Sequence, residues 1–228
     1  MHTAPSRPAP SASGLPGPAR REAAGSARLQ SLKAAPRGPG EASFFFFDAH
    51  FGREAVKVLP GEYFVAHEEI PIMTTLGSCI AACLWDRQRR IGGLNHFMLP
   101  EGDGESGRYG SYAMELLINE MMKRGASRSG LEAKVFGGGQ VIAGMSTMNV
   151  GERNTAFVLD YLKTERIPVI SRDVLDVFPR KVCFLPESGR ALVKRLASSH
   201  PDTLLSQERV ARRATHDKAS RGGSVDLF

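Results

Sequence analysis

Short apolar runs, each ended by glycine, proline or charged residues, recur along the chain between residues 44 and 198. Runs of this length and spacing are typical of β-strands. They predict about eight strands, drawn from the segments 55–60, 62–66, 72–75, 80–85, 91–99, 131–136, 167–170, 182–185 and 191–196. Ser188-Gly189 lies between the last two segments and predicts a hairpin turn there.

Two further segments show the apolar spacing of helices. The first begins near Ser111, a suitable N-cap residue, and ends at Gly125 after two basic residues. The second covers residues 151–164, and its predicted inward positions are Ala156, Phe157, Leu159 and Leu162. This mixed order of strands and helices predicts an α/β fold: a single-domain layered α/β sandwich with a mixed or antiparallel sheet and two main helices.

The two ends of the chain differ in composition from its centre. Residues 1–43 are rich in Ala, Pro, Gly, Ser and Arg, and residues 199–228 are polar and charged. Segments without periodic apolar residues bury too little surface to offset the entropy of ordering. We therefore predict a disordered basic tail at 1–43, one folded domain at 44–198 and a disordered tail at 199–228.

The charge distribution argues against a nucleic-acid-binding surface, although the 228-residue chain has a net charge of +6. Residues 1–43 carry six basic and two acidic groups, a net of +4, whereas residues 44–198 carry nineteen basic and eighteen acidic groups, a net of +1. The folded part is thus nearly neutral, and we expect no nucleic-acid partner.

Membrane insertion and secretion are not expected either. The longest aromatic run, Phe44–Phe47, is far too short to cross a bilayer, and the first 40 residues lack the apolar stretch of a signal peptide. Three cysteines, an odd number, favour a reducing compartment over a disulfide framework. The sequence therefore predicts a soluble, cytoplasmic protein.

The best candidate for chemistry is the pair Cys79 and His96. A nearby histidine activates a cysteine thiol and carries its proton, and 17 residues (96 − 79) is about one strand, a turn and the next strand. Gly77 and Ser78 precede the cysteine, and small residues there allow a sharp turn whose main-chain N–H groups, including that of Cys79, form an oxyanion hole. Asn95 is a further pocket candidate. The alternative is that Cys79 is a buried structural thiol.

No cofactor or metal site is predicted. Gly137-Gly138-Gly139 follows a strand but lacks the phosphate-loop and dinucleotide patterns, so a turn or close backbone packing explains it better. Cys79 and Cys83 have no second close Cys or His pair of the kind that tetrahedral zinc sites use.

Several motifs together resemble the CheD family of chemoreceptor glutamine deamidases. They are the segment 75–86 around Gly77-Ser78-Cys79, the segment 92–100 around Asn95-His96-Phe97, and Arg108-Tyr109-Gly110, Lys134–Gly139, Gly151–Asn154 and Pro186–Gly189. The resemblance covers about residues 44–198. It implies an α/β sandwich that hydrolyses glutamine side-chain amides on methyl-accepting chemotaxis receptors, without a cofactor.

The resemblance also implies residue roles and partners. The family's nucleophilic cysteine falls on Cys79 and its histidine base on His96, and its third residue, a threonine, falls on Thr75 or, alternatively, on Thr74. A CheC-type phosphatase is a possible partner. A second hypothesis is that the chain is a non-catalytic chemotaxis regulatory module that binds such a phosphatase or a receptor. A third is a cysteine amidohydrolase or transglutaminase-like enzyme that acts on other amides.

Overall fold

The computed structural model describes residues 27–99, 106–141 and 150–197. The described helices are α1 (27–34), α2 (Ser106–Lys123) and α3 (Val150–Thr164). The strands are β1 (Phe44–Asp48), β2 (Arg53–Lys57), β3 (Tyr63–Ala66), β4 (Ile72–Leu76), β5 (Ile80–Asp86), β6 (Ile91–Phe97), β7 (Leu131–Gly137), β8 (Val169–Val174), β9 (Arg180–Leu185) and β10 (Arg190–Arg195).

These strands form two five-stranded mixed sheets. The first sheet has the order β3-β6-β5-β7-β8, and the second has the order β1-β2-β4-β9-β10. Each contains one parallel pair, β7 with β8 in the first and β2 with β4 in the second, and its other pairs are antiparallel. The α/β layered fold predicted from the sequence is confirmed.

Alternation along β5 and β6 produces three layers. On one face of the first sheet, Ile80, Leu84 and Phe97 pack against α2 and α3 in one apolar cluster. On the opposite face, Ala81 and Leu94 belong to a second cluster that fills the space between the two sheets. Side chains alternate between faces along a strand, so consecutive residues of these strands belong to different cores.

The described structure differs from the sequence expectation at the start of the folded domain, which was placed at residue 44. Helix α1 contributes Leu29 and Leu32 to the edge of the inter-sheet core. The Arg37 guanidinium lies 4.5 Å from the ring centroid of Phe45, and its stacking adds to this contact. Strand β1, built from the run of phenylalanines, was also not predicted.

Helix α2 starts at Ser106, one turn before the predicted Ser111. None of the helices among the described residues has the length and hydrophobicity required to cross a membrane. The predicted C-terminal tail, 199–228, lies outside the described residues.

Candidate active site

The β5–β6 hairpin brings Cys79 and His96 to the same face of the first sheet. Ala81 on β5 is directly opposite His96 on β6, and Cys79 lies two residues before Ala81. Diagonal neighbours on one face of an antiparallel pair are about 7–8 Å apart at their Cα atoms, within reach of an imidazole ring. Cys79 is fully buried and His96 is 3% exposed. Cys79 belongs to the inter-sheet cluster and His96 contacts Thr74 of the second sheet, so both lie in the layer between the sheets.

Thr74 fixes the orientation of the His96 ring. The Thr74 Oγ1 lies 2.8 Å from the Val58 carbonyl oxygen and 2.8 Å from His96 Nδ1. The carbonyl can only accept, so the single hydroxyl proton is donated to Val58, and the Nδ1–H of His96 donates to the hydroxyl oxygen. This network leaves the lone pair on Nε2, and that buried atom has no hydrogen-bond partner among the described residues.

The environment keeps His96 neutral. Burial lowers the pKa of His96 to about 4, and the neighbouring Val58 carbonyl opposes the shift. The main chain of His96 is held as well, since its N–H donates to the Glu62 carbonyl (3.0 Å) and its carbonyl accepts from the N–H of Gly61 (2.7 Å). At neutral pH the imidazole is thus in the protonation state of a base, with its lone pair on Nε2, while burial makes it a weaker proton acceptor than a free imidazole.

The Gly77-Ser78-Cys79 turn is anchored by the glycine segment after β7. The N–H of Gly139 donates to the Gly77 carbonyl and that of Gly138 to the Cys79 carbonyl, both at 2.8 Å. Close approach explains the glycines: a Cβ on Gly137, whose φ is +112°, would lie 2.1 Å from the Cys79 carbonyl oxygen. The prediction that this segment serves backbone packing agrees with these contacts.

Two predicted site residues lie elsewhere. Thr75 follows Thr74 on β4 and therefore points to the outer face of the second sheet, where it lines a groove with Phe44 and Lys181. Asn95 points to the helix side of the first sheet, accepts from the N–H of Ala82 (3.1 Å) and donates to a carbonyl of α2 (3.0 Å). The alternative Thr74 is the threonine next to His96, and Asn95 supports the fold.

Sequence reasoning missed one residue that contacts the turn. Asn154 on α3 is fully buried, and its Nδ2 donates to the Ser78 carbonyl at 2.8 Å. The predicted inward face of α3 was rotated: the helix buries Gly151, Asn154, Thr155, Val158 and Leu162. A polar asparagine in helical phase with Val158 and Leu162 was the available signal.

The other two cysteines have surroundings of a different kind. Cys83 belongs to the apolar inter-sheet cluster, and burial raises the pKa of its thiol. Cys183 lies in a small outer cluster with Ala55 and Met73, where burial raises its pKa to about 12. Among the described residues, no group of three or more His, Cys, Asp or Glu side chains is arranged to hold a metal ion.

Comparison with known proteins gives consistent matches. Residues 98–195 match the family model CheD, described as CheD chemotactic sensory transduction. The chain is 66% identical over 203 residues to a protein of Albidiferax ferrireducens named probable chemoreceptor glutamine deamidase CheD 1, covering 88% of this chain and 87% of that one. The chain belongs to the CheD family.

Two more distant CheD relatives carry the same name. The protein of Dechloromonas aromatica is 53% identical over 188 residues, covering 80% of this chain and 93% of its own. That of Shewanella oneidensis is 51% identical over 190 residues, covering 80% and 92%. The match to the Albidiferax protein covers 88% of the chain, whereas the family model begins at Met98.

Proposed function

We propose that this chain is a protein-glutamine glutaminase that converts glutamine to glutamate on methyl-accepting chemotaxis receptors, with Cys79 as nucleophile and His96 as base. The names of its CheD relatives support the substrate class. The observation that carries the residue assignment is the buried Nε2 of His96, which has no partner among the described residues while Nδ1 is held by Thr74.

The first half of the reaction forms a thioester. His96 Nε2 takes the proton of the Cys79 thiol, and the sulfur attacks the carboxamide carbon of the substrate glutamine. Main-chain N–H groups of Ser78 and Cys79 stabilise the negative charge that develops on the carboxamide oxygen. The tetrahedral intermediate then collapses, and the imidazolium returns its proton to the departing ammonia.

The second half releases glutamate. Neutral His96 takes a proton from water, and the resulting hydroxide adds to the thioester carbon. Collapse of this second intermediate breaks the C–S bond, and the proton returns to the sulfur. In sum, one water replaces one ammonia, and an uncharged side chain becomes a carboxylate. Thr74 has a supporting role, because it holds the imidazole in the tautomer that both halves require.

Mass spectrometry of a receptor cytoplasmic fragment tests this proposal directly. Incubation in water enriched in heavy oxygen should place one heavy oxygen in each new carboxylate, because the second oxygen comes from solvent. The Cys79→Ala protein is the matched control and should leave the fragment unchanged. A fragment whose glutamines are all unchanged after incubation with the wild-type protein would refute the proposal.

The same experiment separates the alternative roles. A protein that binds the receptor fragment without converting any glutamine would be a regulatory module, and a CheC-type phosphatase would then be the partner to test. Conversion of unrelated glutamine peptides at the same kcat/KM as receptor peptides would indicate a general amidohydrolase. We expect receptor peptides to be preferred.

A further inference from the structure

All three carbonyl oxygens of the Gly77-Ser78-Cys79 turn are held by hydrogen bonds of 2.8 Å. Those of Gly77 and Cys79 accept from the main-chain N–H groups of Gly139 and Gly138, and that of Ser78 accepts from Asn154 Nδ2. Two of these donors belong to the backbone. Asn154 is the one whose contribution a side-chain substitution can remove.

The bond to Ser78 also sets the direction of the Cys79 N–H. The Ser78 carbonyl and the Cys79 N–H belong to the same peptide plane, and in a trans peptide they point in opposite directions. Fixing the carbonyl towards α3 therefore fixes the N–H towards the opposite side of the turn. This N–H is one of the two donors assigned above to the developing oxyanion.

A second bond holds the Asn154 amide in place. Its Oδ1 accepts from the main-chain N–H of Leu99 at 3.0 Å, and Leu99 lies three residues after His96. The fully buried amide thus joins the nucleophile turn to the end of the strand that carries the base. Because both of its polar atoms are engaged, the side chain has one orientation that satisfies the site.

We propose that Asn154 is a positioning residue for catalysis: it holds the Ser78–Cys79 peptide so that the Cys79 N–H is directed at the oxyanion. The inference deepens the proposed deamidase function and rests on it. An oxyanion donor acts in the transition state, so misdirecting it lowers kcat and leaves KM nearly unchanged.

The substitution Asn154→Asp isolates the bond to Ser78. Burial raises the pKa of a carboxyl group, so the comparison starts at alkaline pH, where the ionised carboxylate still accepts from Leu99 but cannot donate to the Ser78 carbonyl. We expect kcat on a receptor peptide to fall on the order of a hundredfold, with KM within about threefold of wild type. As the pH falls and the carboxyl protonates, it can donate again, so the ratio of variant to wild-type kcat should rise. Asn154→Ala should show the same loss without the rise.

Alkylation of Cys79 by iodoacetamide provides a readout that misfolding would change. That displacement forms no oxyanion, so both Asn154 variants should alkylate at a rate close to wild type while turnover falls. Asn95→Asp is the matched control, because Asn95 is also buried and also accepts from one main-chain N–H and donates to one main-chain carbonyl. It should lower the melting temperature comparably and show no gain in relative kcat at low pH.

The possible outcomes distinguish the two proposals. If the wild-type protein leaves every glutamine unchanged, the deamidase proposal fails and this inference fails with it. If the wild type is active and Asn154→Ala retains full kcat, or Asn154→Asp loses kcat without recovery at low pH, only the positioning role is overturned. Should Asn154→Asp not fold, Asn154→Ala decides: unchanged kcat, or Cys79 alkylation lost together with turnover, would overturn the role.

Discussion

The two ends of strand β5 both bury polar side chains, but they use them differently. At its C-terminal end, Asp86 is 1% exposed, and its carboxylate accepts from the main-chain N–H groups of Gln88 (3.0 Å), Arg89 (3.0 Å) and Ser127 (2.7 Å). At its N-terminal end lies His96, whose Nδ1 is held and whose Nε2 has no partner among the described residues. The Asp86 carboxylate accepts three hydrogen bonds, whereas only one of the two ring nitrogens of His96 has a partner in the described part of the chain.

This difference distinguishes a polar group whose hydrogen bonds support the fold from one that still has an atom open to a further partner. A buried polar group that is fully hydrogen-bonded supports the fold, whereas one left open costs free energy and needs another reason to be there. The indole nitrogen of Trp85, near Asp86, also has no partner among the described residues, but an indole only donates and cannot serve as a base. Carboxylate oxygens of Glu54 and Glu69 also lack partners among the described residues. The informative combination is therefore an unpartnered proton acceptor on the same sheet face as a buried thiol.

Cysteine substitutions should give the largest contrast along β5, between a cysteine just before the strand and one at its middle. Cys79 and Cys83 lie on the same face four residues apart, and both belong to the inter-sheet cluster. Cys79→Ala should lower the rate of glutamine conversion by at least about a thousandfold, because the nucleophile is gone. Cys83→Ala should keep kcat near wild type. The comparison would break if Cys83→Ala lost as much activity as Cys79→Ala while remaining folded.

Removing the base should have the next largest effect. His96→Ala should lower kcat on the order of a hundredfold or more, the usual range for a general base. Iodoacetamide should also modify Cys79 more slowly at neutral pH, because no imidazole takes the thiol proton. His67→Ala, at an exposed position, is the control for both assays. An alkylation rate unchanged by His96→Ala would mean that the two residues do not form a pair.

Substitutions of Thr74 and Thr75 on β4 should have smaller effects on kcat. The two effects should differ, because the side chains lie on opposite faces of the second sheet. Thr74→Val replaces the hydroxyl by a methyl group of similar size and removes the acceptor of His96 Nδ1–H, so we expect kcat to fall on the order of tenfold. Thr75→Val makes the same change on the outer face and should leave kcat near wild type. Thr74→Ser, which restores a hydroxyl, should recover most of the activity. Equal losses in the two valine variants would contradict the assignment of Thr74.

The sequence predicted the fold well where apolar runs were bounded by clear turn residues. Strands β4, β5 and β7 and the hairpin at Ser188-Gly189 agree with the predicted segments to within one residue. Strand β1 was missed because four consecutive phenylalanines show no alternation, and their role as a strand depends on pairing with β2. Helix α1 was missed because its surroundings have the composition of a disordered tail.

The proximity of Cys79 and His96 could be predicted from the sequence, whereas the contacts that support the pair could not. Gly77-Ser78 and the apolar runs pointed to Cys79 and His96, whereas the choice between Thr74 and Thr75 depends on which residue of β4 faces inward. Strand parity follows from pairing with β9, which lies more than a hundred residues away in sequence. Asn154 was missed because the sequence assigned the wrong face of α3 to the interior. Main-chain donors such as Gly138 could not be found either, because their role does not depend on a side chain.

The C-terminal end of β5 should show a stability effect without a catalytic one. Asp86→Ala leaves the main-chain N–H groups of Gln88, Arg89 and Ser127 without their acceptor and should lower the free energy of unfolding by about 1–3 kcal/mol. Asp86→Asn keeps an acceptor and should cost less. Urea denaturation measures the loss, and kcat corrected for the folded fraction should equal that of wild type. A lower corrected kcat would show that this end of the strand also positions the site.

The buried His96 should make the stability of the fold depend on pH. Its pKa falls from 6.5 in the unfolded chain to about 4 in the fold, so between these values the unfolded state binds more protons. The free energy of unfolding therefore decreases as the pH falls from about 6.5 to about 4, by at most about 3 kcal/mol from this residue. His96→Gln removes the titration and should flatten that part of the curve. Urea denaturation at several pH values measures both slopes, and an equal slope in wild type and His96→Gln would show that His96 does not enter the fold as a neutral imidazole.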